Sequence, residues 1–429
     1  MERTYVKDLS GQIGNPVLLR GWVHKIRDFG KLKFIMLRDK TGLVQLVISD
    51  QTHEGLRIET PLEVRGILQK NDKAVKGLEV QVEALSILAE PEYDILPIEI
   101  NREDLNSALE TNLNYRSLSL RNVKKRAIFK VQEEITECFR TFLKGEMFSE
   151  IHTPKLVSSG TEGGSEVFTV KYFDRRAFLA QSPQFYKQMM VGAGFERVFE
   201  VGHAYRAELH NTWRHLNEYV SLDVEMGFIK DEFDLMNLEN RFMKYLFDHL
   251  KETCAEELEM YHITLEDIGE IPKMTLEEVH EILLDRYDKK SPVGNIDAEG
   301  EILISQYVKE KYNSDFVFLT KYPVKKRPVY AMPDDENPEL TKSFDLIYKG
   351  LEITTGGQRI HSYSHLKNNM IKFGLNPDDF DFYVDTFKYG MPPHGGFAIG
   401  LERLTMKILE LDNIREATLF PRDMKRLTP

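Results

Sequence analysis

The amino-acid sequence predicts an α+β protein, in which a five-stranded β-barrel precedes a larger domain of antiparallel strands flanked by helices. The first observation is a series of five short strand-like stretches before residue 90. The second is a pair of strand-like stretches, residues 199–205 and 218–228, on either side of a polar loop. The third is the helical spacing of apolar side chains over residues 124–144. These patterns separate a β-rich first part from a mixed remainder.

The five strand-like stretches are bounded by turn sequences such as DKTG at residues 39–42. They cover residues 16–23, 32–39, 43–49, 61–68 and 78–88. Five short strands favour a small closed barrel, and the OB-fold is the simplest candidate. Phe34 and Gln45 lie on adjacent predicted strands, where a ring could stack on a base and an amide could read its edge. A place in the barrel core is the alternative for Phe34.

Composition suggests where the domains meet. The barrel is expected to occupy residues 1–89, and residues 90–122, with two prolines and a polar run, are typical of a linker. The mixed domain then covers residues 123–429. Within it, residues 231–341 alternate helix patterns with acidic loops and hold no recognisable motif, so we expect an insertion there.

Composition also excludes several classes of protein. The chain has 41% hydrophobic and 29% charged residues, which is ordinary for a globular protein. Without a long apolar run or a signal-peptide pattern, it is expected to be cytoplasmic, with no membrane partner. A net charge of −12 argues against nonspecific coating of nucleic acid, but not against a local surface for one RNA. Cys138 and Cys254 are expected to be buried thiols, because they lie in helix-like stretches far from any His cluster.

The loop between the two central strands carries the side chains of a ligand site. Residues 206–218 read RAELHNTWRHLNE. A polar loop between two regular strands is a common place for a ligand. Arg206 begins it, and arginine can hold a phosphate through two parallel hydrogen bonds. From this stretch alone, a solvated hairpin tip is the alternative.

Three stretches, in order, resemble the motifs of the class II aminoacyl-tRNA synthetases. Residues 145–154, GEMFSEIHTP, are similar to motif 1, residues 206–218 to motif 2, and residues 395–404, GGFAIGLERL, to motif 3. Motif 2 is closest to aspartyl-tRNA synthetases of the archaeal and eukaryotic type, and the resemblance covers nearly the whole chain. It implies a class II catalytic domain that activates an amino acid with ATP and transfers it to tRNA. It also implies a homodimer built on residues 124–154, and Mg²⁺ as cofactor.

The resemblance implies individual roles at the ATP end of the site. Arg206 would hold the α-phosphate and Arg403 the γ-phosphate, as the catalytic residues. Glu352 would ligate Mg²⁺ with Thr355 beside it, where the family usually has Ser; hard oxygen ligands suit this ion. The attacking carboxylate is already ionised at neutral pH, so the reaction needs positioned cations and no general base. The remaining implied ATP contacts are Glu208, Arg214, His215, Leu216 and Gly400.

The resemblance also implies an aspartate pocket. Glu162, in the glycine-containing loop 158–168, would contact the ammonium group. Gln184 and Lys187 lie one helical turn apart, so both can face one pocket. With Arg359, Lys187 would favour aspartate, because asparagine would leave buried cations unpaired at a cost of a few kcal/mol. The implied aspartate set is Glu162, Gln184, Lys187, Arg206, Thr355 and Arg359.

The barrel is implied to bind the tRNA anticodon. Phe34 would stack on the central base, Gln45 would read it, and Glu79 would be a third contact. In this family, a second Trp after Gly-Trp-Val accompanies strict recognition of the Asp anticodon, and His24 stands there. A smaller residue rejects the wrong base less, so we hypothesise that aspartate is attached to both tRNA(Asp) and tRNA(Asn). A surface residue without this role is the alternative for His24.

Other functions fit parts of the sequence. The nearest is an asparaginyl-tRNA synthetase or a diverged paralogue that activates an amino acid for another use. A catalytically inactive tRNA-binding protein is an alternative of a different class. Lys187 and Arg359 argue against the asparagine enzyme, and intact Arg206, Glu352 and Arg403 argue against the inactive protein.

Overall fold

The computed structural model describes residues 1–30, 32–49, 56–93, 95–160, 166–210 and 212–429. The chain divides into two compact units, residues 1–107 and 108–429. Each unit has a hydrophobic core of its own. Glu162, predicted to contact the ammonium group of the amino acid, lies outside the described residues.

The first unit is a closed barrel of five strands, as the sequence predicts. The strands are β1 Pro16–Asp28, β2 Lys33–Arg38, β3 Leu43–Ile48, β4 Pro61–Lys70 and β5 Leu78–Ile87. They pair in the order β1-β2-β3-β5-β4, and β4 closes the barrel on β1. Alternating side chains such as Ile35, Leu46 and Val80 fill the interior. β1 continues beyond residue 23 because a bulge between Val23 and Lys25 lets its second half pair with β2.

The second unit is built on a mixed sheet of eight strands. The strands of the whole unit are β6 Ser149–Glu150, β7 Leu156–Val157, β8 Thr169–Tyr172, β9 Arg175–Leu179, β10 Arg197–Tyr205, β11 Glu218–Gly227, β12 Lys273–Thr275, β13 Phe316–Thr320, β14 Ser343–Tyr348, β15 Leu351–Arg359 and β16 His394–Gly400. The main sheet runs β12-β13-β14-β15-β16-β11-β10-β6, and β7-β9-β8 form a small second sheet. Along this order, every neighbouring pair of strands from β13 to β10 is antiparallel, as predicted. The outermost pairs, β12 with β13 and β10 with β6, are parallel.

Helices cover the sheet and complete the core. The α-helices are α1 Leu109–Asn114, α2 Arg116–Ser119, α3 Val123–Gly145, α4 Gln184–Met190, α5 Glu232–Thr253, α6 Ala255–Met260, α7 Leu276–Tyr287, α8 Ala298–Tyr312, α9 Tyr363–Lys372, α10 Asp381–Val384 and α11 Leu401–Ile408. Short 3-10 turns lie at Val6–Gln12, Val75–Gly77, Val324–Lys326, Pro377–Phe380, Asp385–Tyr389 and Ile414–Ala417, and a π-helical turn at Val191–Phe195. α3 matches the predicted helix and is capped by the Asn122 side chain. It packs on α5, where the rings of Phe139 and Phe242 meet edge to face 5.3 Å apart.

The region expected to be an insertion is packed into the second unit. α5 contributes to its main core, and β12 and β13 extend its sheet. α8 lies against the turn between β14 and β15. There the Gly350 amide donates to the Ser305 hydroxyl at 2.9 Å, and Gly350 has a positive φ of 76°. A Cβ at Gly350 would lie 3.0 Å from Ile302, so glycine suits this close approach.

Both cysteines are buried free thiols, as predicted. Burial raises the pKa of Cys138 to about 12 and that of Cys254 to about 11. Neither thiol is therefore a reactive nucleophile near neutral pH. Among the described residues, no helix is both long and apolar enough to cross a membrane.

Glu239 of α5 should make stability depend on pH. Burial raises its pKa to about 8, against an opposing effect of the Thr354 hydroxyl. Glu239 therefore has a higher pKa in the folded protein than in the unfolded one. As a result, the unfolding free energy falls as pH rises from the unfolded-state pKa towards 8. Glu239→Gln should flatten the fall in unfolding free energy between about pH 5 and pH 9 by a few kcal/mol. Urea unfolding of both proteins tests this, and equal pH slopes would contradict it.

Candidate active site

A cavity of about 960 Å³ opens over strands β11, β15 and β16. It is lined by every residue predicted for catalysis, ATP or aspartate that the structure describes. These are Gln184, Lys187, Arg206, Glu208, Arg214, His215, Leu216, Glu352, Thr355, Arg359, Gly400 and Arg403. The fold therefore gathers motifs 2 and 3 and the segments near Gln184 and Glu352 into one site.

Strand register explains how distant segments meet. Ala398 of β16 pairs with Asp223 of β11 on one side and with Thr355 of β15 on the other. Because side chains alternate along strands, this row faces the cavity while the intervening residues face the core. β16 can approach this closely because residue 396 is glycine. A side chain there would overlap the Val224 carbonyl and the Glu225 carboxylate.

One end of the cavity is organised around Glu352. Arg403 donates from Nη1 to the Glu352 backbone oxygen at 2.9 Å and to its carboxylate at 3.3 Å. The Thr355 hydroxyl donates to the same carboxylate at 3.3 Å. The Glu352 side chain remains 37% exposed, so its carboxylate can still take a ligand from the cavity.

The oxygen groups at this end fit a nucleotide-bound Mg²⁺. No group of three or more His, Cys, Asp or Glu side chains suited to a metal occurs in the described part of the chain. Beside Thr355, Asp345 accepts from Arg327 at 2.7 Å through one oxygen. Its buried Oδ1 makes no hydrogen bond of ordinary geometry with any described residue. Magnesium in nucleotide sites typically takes one or two carboxylates and completes its shell with phosphates and water, which this set allows.

The base of the loop between β10 and β11 is fixed by Asn217. Its amide donates to the backbone oxygens of Arg206 at 2.7 Å and Glu208 at 2.9 Å. The Arg206 guanidinium lies 3.8 Å from the Glu208 carboxylate and 5.8 Å from the centre of the Tyr219 ring. Arg206 is therefore presented to the cavity from the fixed base of this loop.

The far side of this loop is held by other contacts. Arg214 Nη1 donates to Glu301 of α8 at 2.8 Å. Burial raises the pKa of Glu301 to about 7, while Arg214 opposes this shift. Burial and the charge of Arg403 lower the pKa of His215 to about 4, so that imidazole is neutral at pH 7. Leu216 is buried in a small apolar cluster.

Four buried charged side chains lie at the other end of the cavity, and all of them except Glu225 line it. Lys187 Nζ lies 3.0 Å from Asp223 and 3.3 Å from Glu225, and Arg359 Nε lies 3.1 Å from Glu225. None of the four is more than 6% exposed. Gln184 joins them by accepting from Arg359 at 3.4 Å. Burial opposes ionisation of Glu225, but Arg359 and Lys187 keep its pKa below the usual value.

This network corrects one step of the sequence reasoning. Lys187 and Arg359 face the same cavity, but both already have carboxylate partners. The expectation that asparagine would leave these cations unpaired is therefore wrong. Asp223 and Glu225 were the residues that sequence reasoning missed. Their alternation with apolar residues is typical of a strand with one solvated face. In the structure, that face is instead buried at the cavity.

In the barrel, three of the predicted anticodon residues share the outward face. Phe34 is half-buried, outside the barrel core, with its ring 5.9 Å from that of Phe29. Gln45 pairs with Glu79 across β3 and β5 and donates to its carboxylate at 2.9 Å. Glu79 also accepts from Asn71 and Gln81 and is only 8% exposed. Its geometry suits holding Gln45 in place more than contacting a base directly.

His24 is not the surface residue that the alternative assumed. It lies at the bulge of β1, is 9% exposed, and its Nδ1 is 3.2 Å from Arg38. Arg38 in turn makes two hydrogen bonds, 2.9 and 2.7 Å long, to buried Glu59. Burial, and then Arg38, lower the pKa of the imidazole. An effect of His24 on anticodon recognition would therefore act through the buried Arg38–Glu59 ion pair.

Comparison with known proteins agrees with both units. Residues 108–424 match the family described as class II tRNA synthetases (D, K and N), and residues 17–88 match the OB-fold nucleic acid binding domain. A Deinococcus radiodurans protein named aspartate–tRNA(Asp/Asn) ligase is 47% identical, over 100% of this chain and 99% of its own. A Thermus thermophilus protein of the same name is 46% identical over 100% of each.

A solved structure resembles the whole chain closely. It is asparaginyl-tRNA synthetase from Pyrococcus horikoshii complexed with asparaginyl-adenylate. The TM-score is 0.92 at 32% sequence identity, and the match covers 100% of each chain. Likeness of fold alone therefore does not separate aspartate from asparagine as substrate.

Proposed function

The chain belongs to the family of class II tRNA synthetases, and we propose that within it the protein is an aspartate–tRNA ligase. It would activate L-aspartate with ATP and transfer the aspartyl group to tRNA(Asp). The observation that carries this proposal is one cavity with Arg206 and Arg403 at one end and the Lys187–Arg359 network at the other. The names of the relatives at 46–47% identity support the same substrate.

Activation joins the aspartate α-carboxylate to the α-phosphorus of ATP and breaks the bond to pyrophosphate. The carboxylate is already ionised at neutral pH, so no residue has to remove a proton. Arg206 would neutralise charge on the α-phosphate and Arg403 on the γ-phosphate. Glu352, with Thr355 beside it, would hold Mg²⁺. When bound, that ion neutralises charge on the phosphate oxygens.

Aspartate suits the buried network better than asparagine does. Lys187 and Arg359 offer only hydrogen-bond donors. Both oxygens of a side-chain carboxylate can accept from them, whereas an amide would turn one NH₂ group towards a donor. Because the network carries no formal net charge, this mismatch of donors, and not an unpaired cation, supplies the discrimination.

ATP–pyrophosphate exchange tests the proposal. With Mg²⁺ present, we expect exchange that depends on aspartate, and its loss when the metal is removed by a chelator. Exchange with asparagine alone would overturn the choice of substrate and favour the enzyme named for the Pyrococcus structure. Absence of exchange with either amino acid would favour an inactive tRNA-binding protein.

We further propose that the enzyme charges tRNA(Asn) as well as tRNA(Asp). His24 in place of a second Trp motivates this proposal, and the names of the Deinococcus and Thermus relatives support it. We expect kcat/KM for the two transcripts to differ by less than about a hundredfold, which corresponds to about 2.7 kcal/mol. Parallel charging of both transcripts measures the ratio. A larger preference for tRNA(Asp) would show that the anticodon is still discriminated strictly.

A homodimer is also proposed, built on α3 and the motif 1 segment that follows it. Beyond the apolar face that α3 turns to the core, this segment carries the exposed side chain of Met147, at 79%, and Leu156, at 47%, follows just after it. A second copy of the chain could cover them. Light scattering of an active preparation that gave the mass of one chain would overturn this assembly.

A further inference from the structure

Glu301 lies behind the wall of the cavity, in the region where the sequence offered no motif. It belongs to the first turn of α8 and is 4% exposed. One of its carboxylate oxygens accepts both from Arg214 Nη1 at 2.8 Å and from the Glu352 backbone amide at 3.2 Å. A single buried oxygen thus connects the loop between β10 and β11 with the start of β15.

The position of Glu301 is itself fixed. Ser305, one helical turn later on the same face of α8, accepts from the Gly350 amide at the turn before β15. Ile302 packs against that glycine. These contacts anchor α8 to the β14–β15 turn independently of Arg214. The carboxylate is therefore a preorganised acceptor, and it does not depend on the loop for its own placement.

Arg214 needs such an acceptor. Its side chain is long and 20% exposed, and it lies in the same loop as Leu209, which is 80% exposed. An unrestrained arginine of this kind loses conformational entropy when a ligand fixes it. A charge-assisted hydrogen bond to a rigid carboxylate removes most of this freedom before the ligand arrives.

We infer that Glu301 is a positioning residue, which holds Arg214 ready for the triphosphate of ATP. The inference rests on the proposed function of the cavity as a nucleotide site. Glu301 does not line the cavity and would touch no substrate; its effect passes through Arg214. Loss of its charge should therefore weaken ATP binding and leave aspartate binding almost unchanged.

The test combines Glu301→Gln with Arg214→Ala in a double-mutant cycle. Gln is nearly the same size and keeps an acceptor for the Glu352 amide, but it loses the carboxylate that holds Arg214. Because burial raises the pKa of Glu301 to about 7, all assays are run at about pH 8.5, where this carboxylate is ionised. We expect the KM for ATP in the exchange reaction to rise about tenfold, with the KM for aspartate changed less than about twofold. In the Arg214→Ala background, Glu301→Gln should change the KM for ATP by less than about twofold.

Glu299→Gln is the matched control. It removes an acidic side chain from the same first turn of α8, but Glu299 pairs with Lys289 and is 67% exposed, so the KM for ATP should stay within about twofold of the parent. A rise of similar size in both Arg214 backgrounds would assign Glu301 a structural role and overturn the inference. No rise in the parent background would also overturn it. If Glu301→Gln fails to fold, Glu301→Asp, which keeps the charge but shortens the reach, replaces it in the same cycle.

Calorimetric titration of each variant with ATP and Mg²⁺ separates this inference from the proposed function. A parent protein without aspartate-dependent exchange would overturn the proposed function. The titration would still decide the role of Glu301, because it requires only nucleotide binding. An unchanged Kd for ATP in Glu301→Gln would overturn the inference whatever the exchange assay gave.

Discussion

Arg206→Ala should lower aspartate-dependent ATP–pyrophosphate exchange by about a hundredfold or more. Arg206 enters the cavity from a loop closed by Asn217, so its charge is placed before the substrate binds. A truncated side chain leaves the developing negative charge on the α-phosphate without this partner. Arg403→Ala should cause a loss of similar size, because that cation stands at the same end of the cavity. Exchange assays at saturating ATP and aspartate measure both effects.

Arg175→Ala serves as a control for the loss of a positive charge. Its side chain is 77% exposed on β9 and does not line the cavity. Exchange should be unaffected, and the unfolding midpoint of all three variants should stay close to that of the parent. Near-normal exchange by purified Arg206→Ala would mean that motif 2 has been assigned the wrong role.

Lys187→Met should damage both substrate binding and stability. The substitution keeps an unbranched side chain but leaves Asp223 and Glu225 buried with one cation fewer. Removing one partner from a buried ion pair commonly costs roughly 3–5 kcal/mol. Aspartate-dependent exchange should fall by about a hundredfold or more, because the donor for the aspartate side chain is gone. Urea unfolding and exchange over a range of aspartate concentrations measure the two effects.

Lys155→Met separates the two consequences. Lys155 pairs at 2.8 Å with Glu200, a carboxylate that is 4% exposed but lies outside the cavity. Its loss should reduce the unfolding free energy while the KM for aspartate stays within about twofold of the parent. A Lys187→Met enzyme with an unchanged KM for aspartate would remove Lys187 from the proposed substrate pocket.

The sequence predicted the parts of the fold that depend on local pattern. Five strand-like stretches predicted the barrel, and helical spacing predicted both ends of α3 to within one residue. The parallel edge pairs were not predictable, because they depend on which strands become neighbours in space. The extension of β1 was missed for a related reason: its bulge is stable only because β2 pairs with the second half.

The residues of the candidate site also divide into those that could be predicted from local pattern and those that could not. Residues carried by motifs 2 and 3 could be placed from their order alone, and they meet in one cavity. Asp223, Glu225 and Glu301 could not, since their importance depends on burial. An acidic residue in a strand or on a helix is usually solvated, and nothing local shows that another element will cover it. The burial of His24 beside Arg38 could not be predicted for the same reason.

The balanced charges around Glu225 restrict how this pocket can change over evolutionary time. Lys187 and Arg359 share the Glu225 carboxylate, so replacing any single charged member leaves an unbalanced charge among buried side chains. Replacing one cation and one carboxylate together would keep the charges balanced. Whichever of the two substitutions arose first, however, would leave the pocket with an unbalanced charge. The amino acid that this pocket accepts is therefore protected against drift by single substitutions. A redesign for another amino acid should begin with paired changes, such as Lys187 together with Asp223.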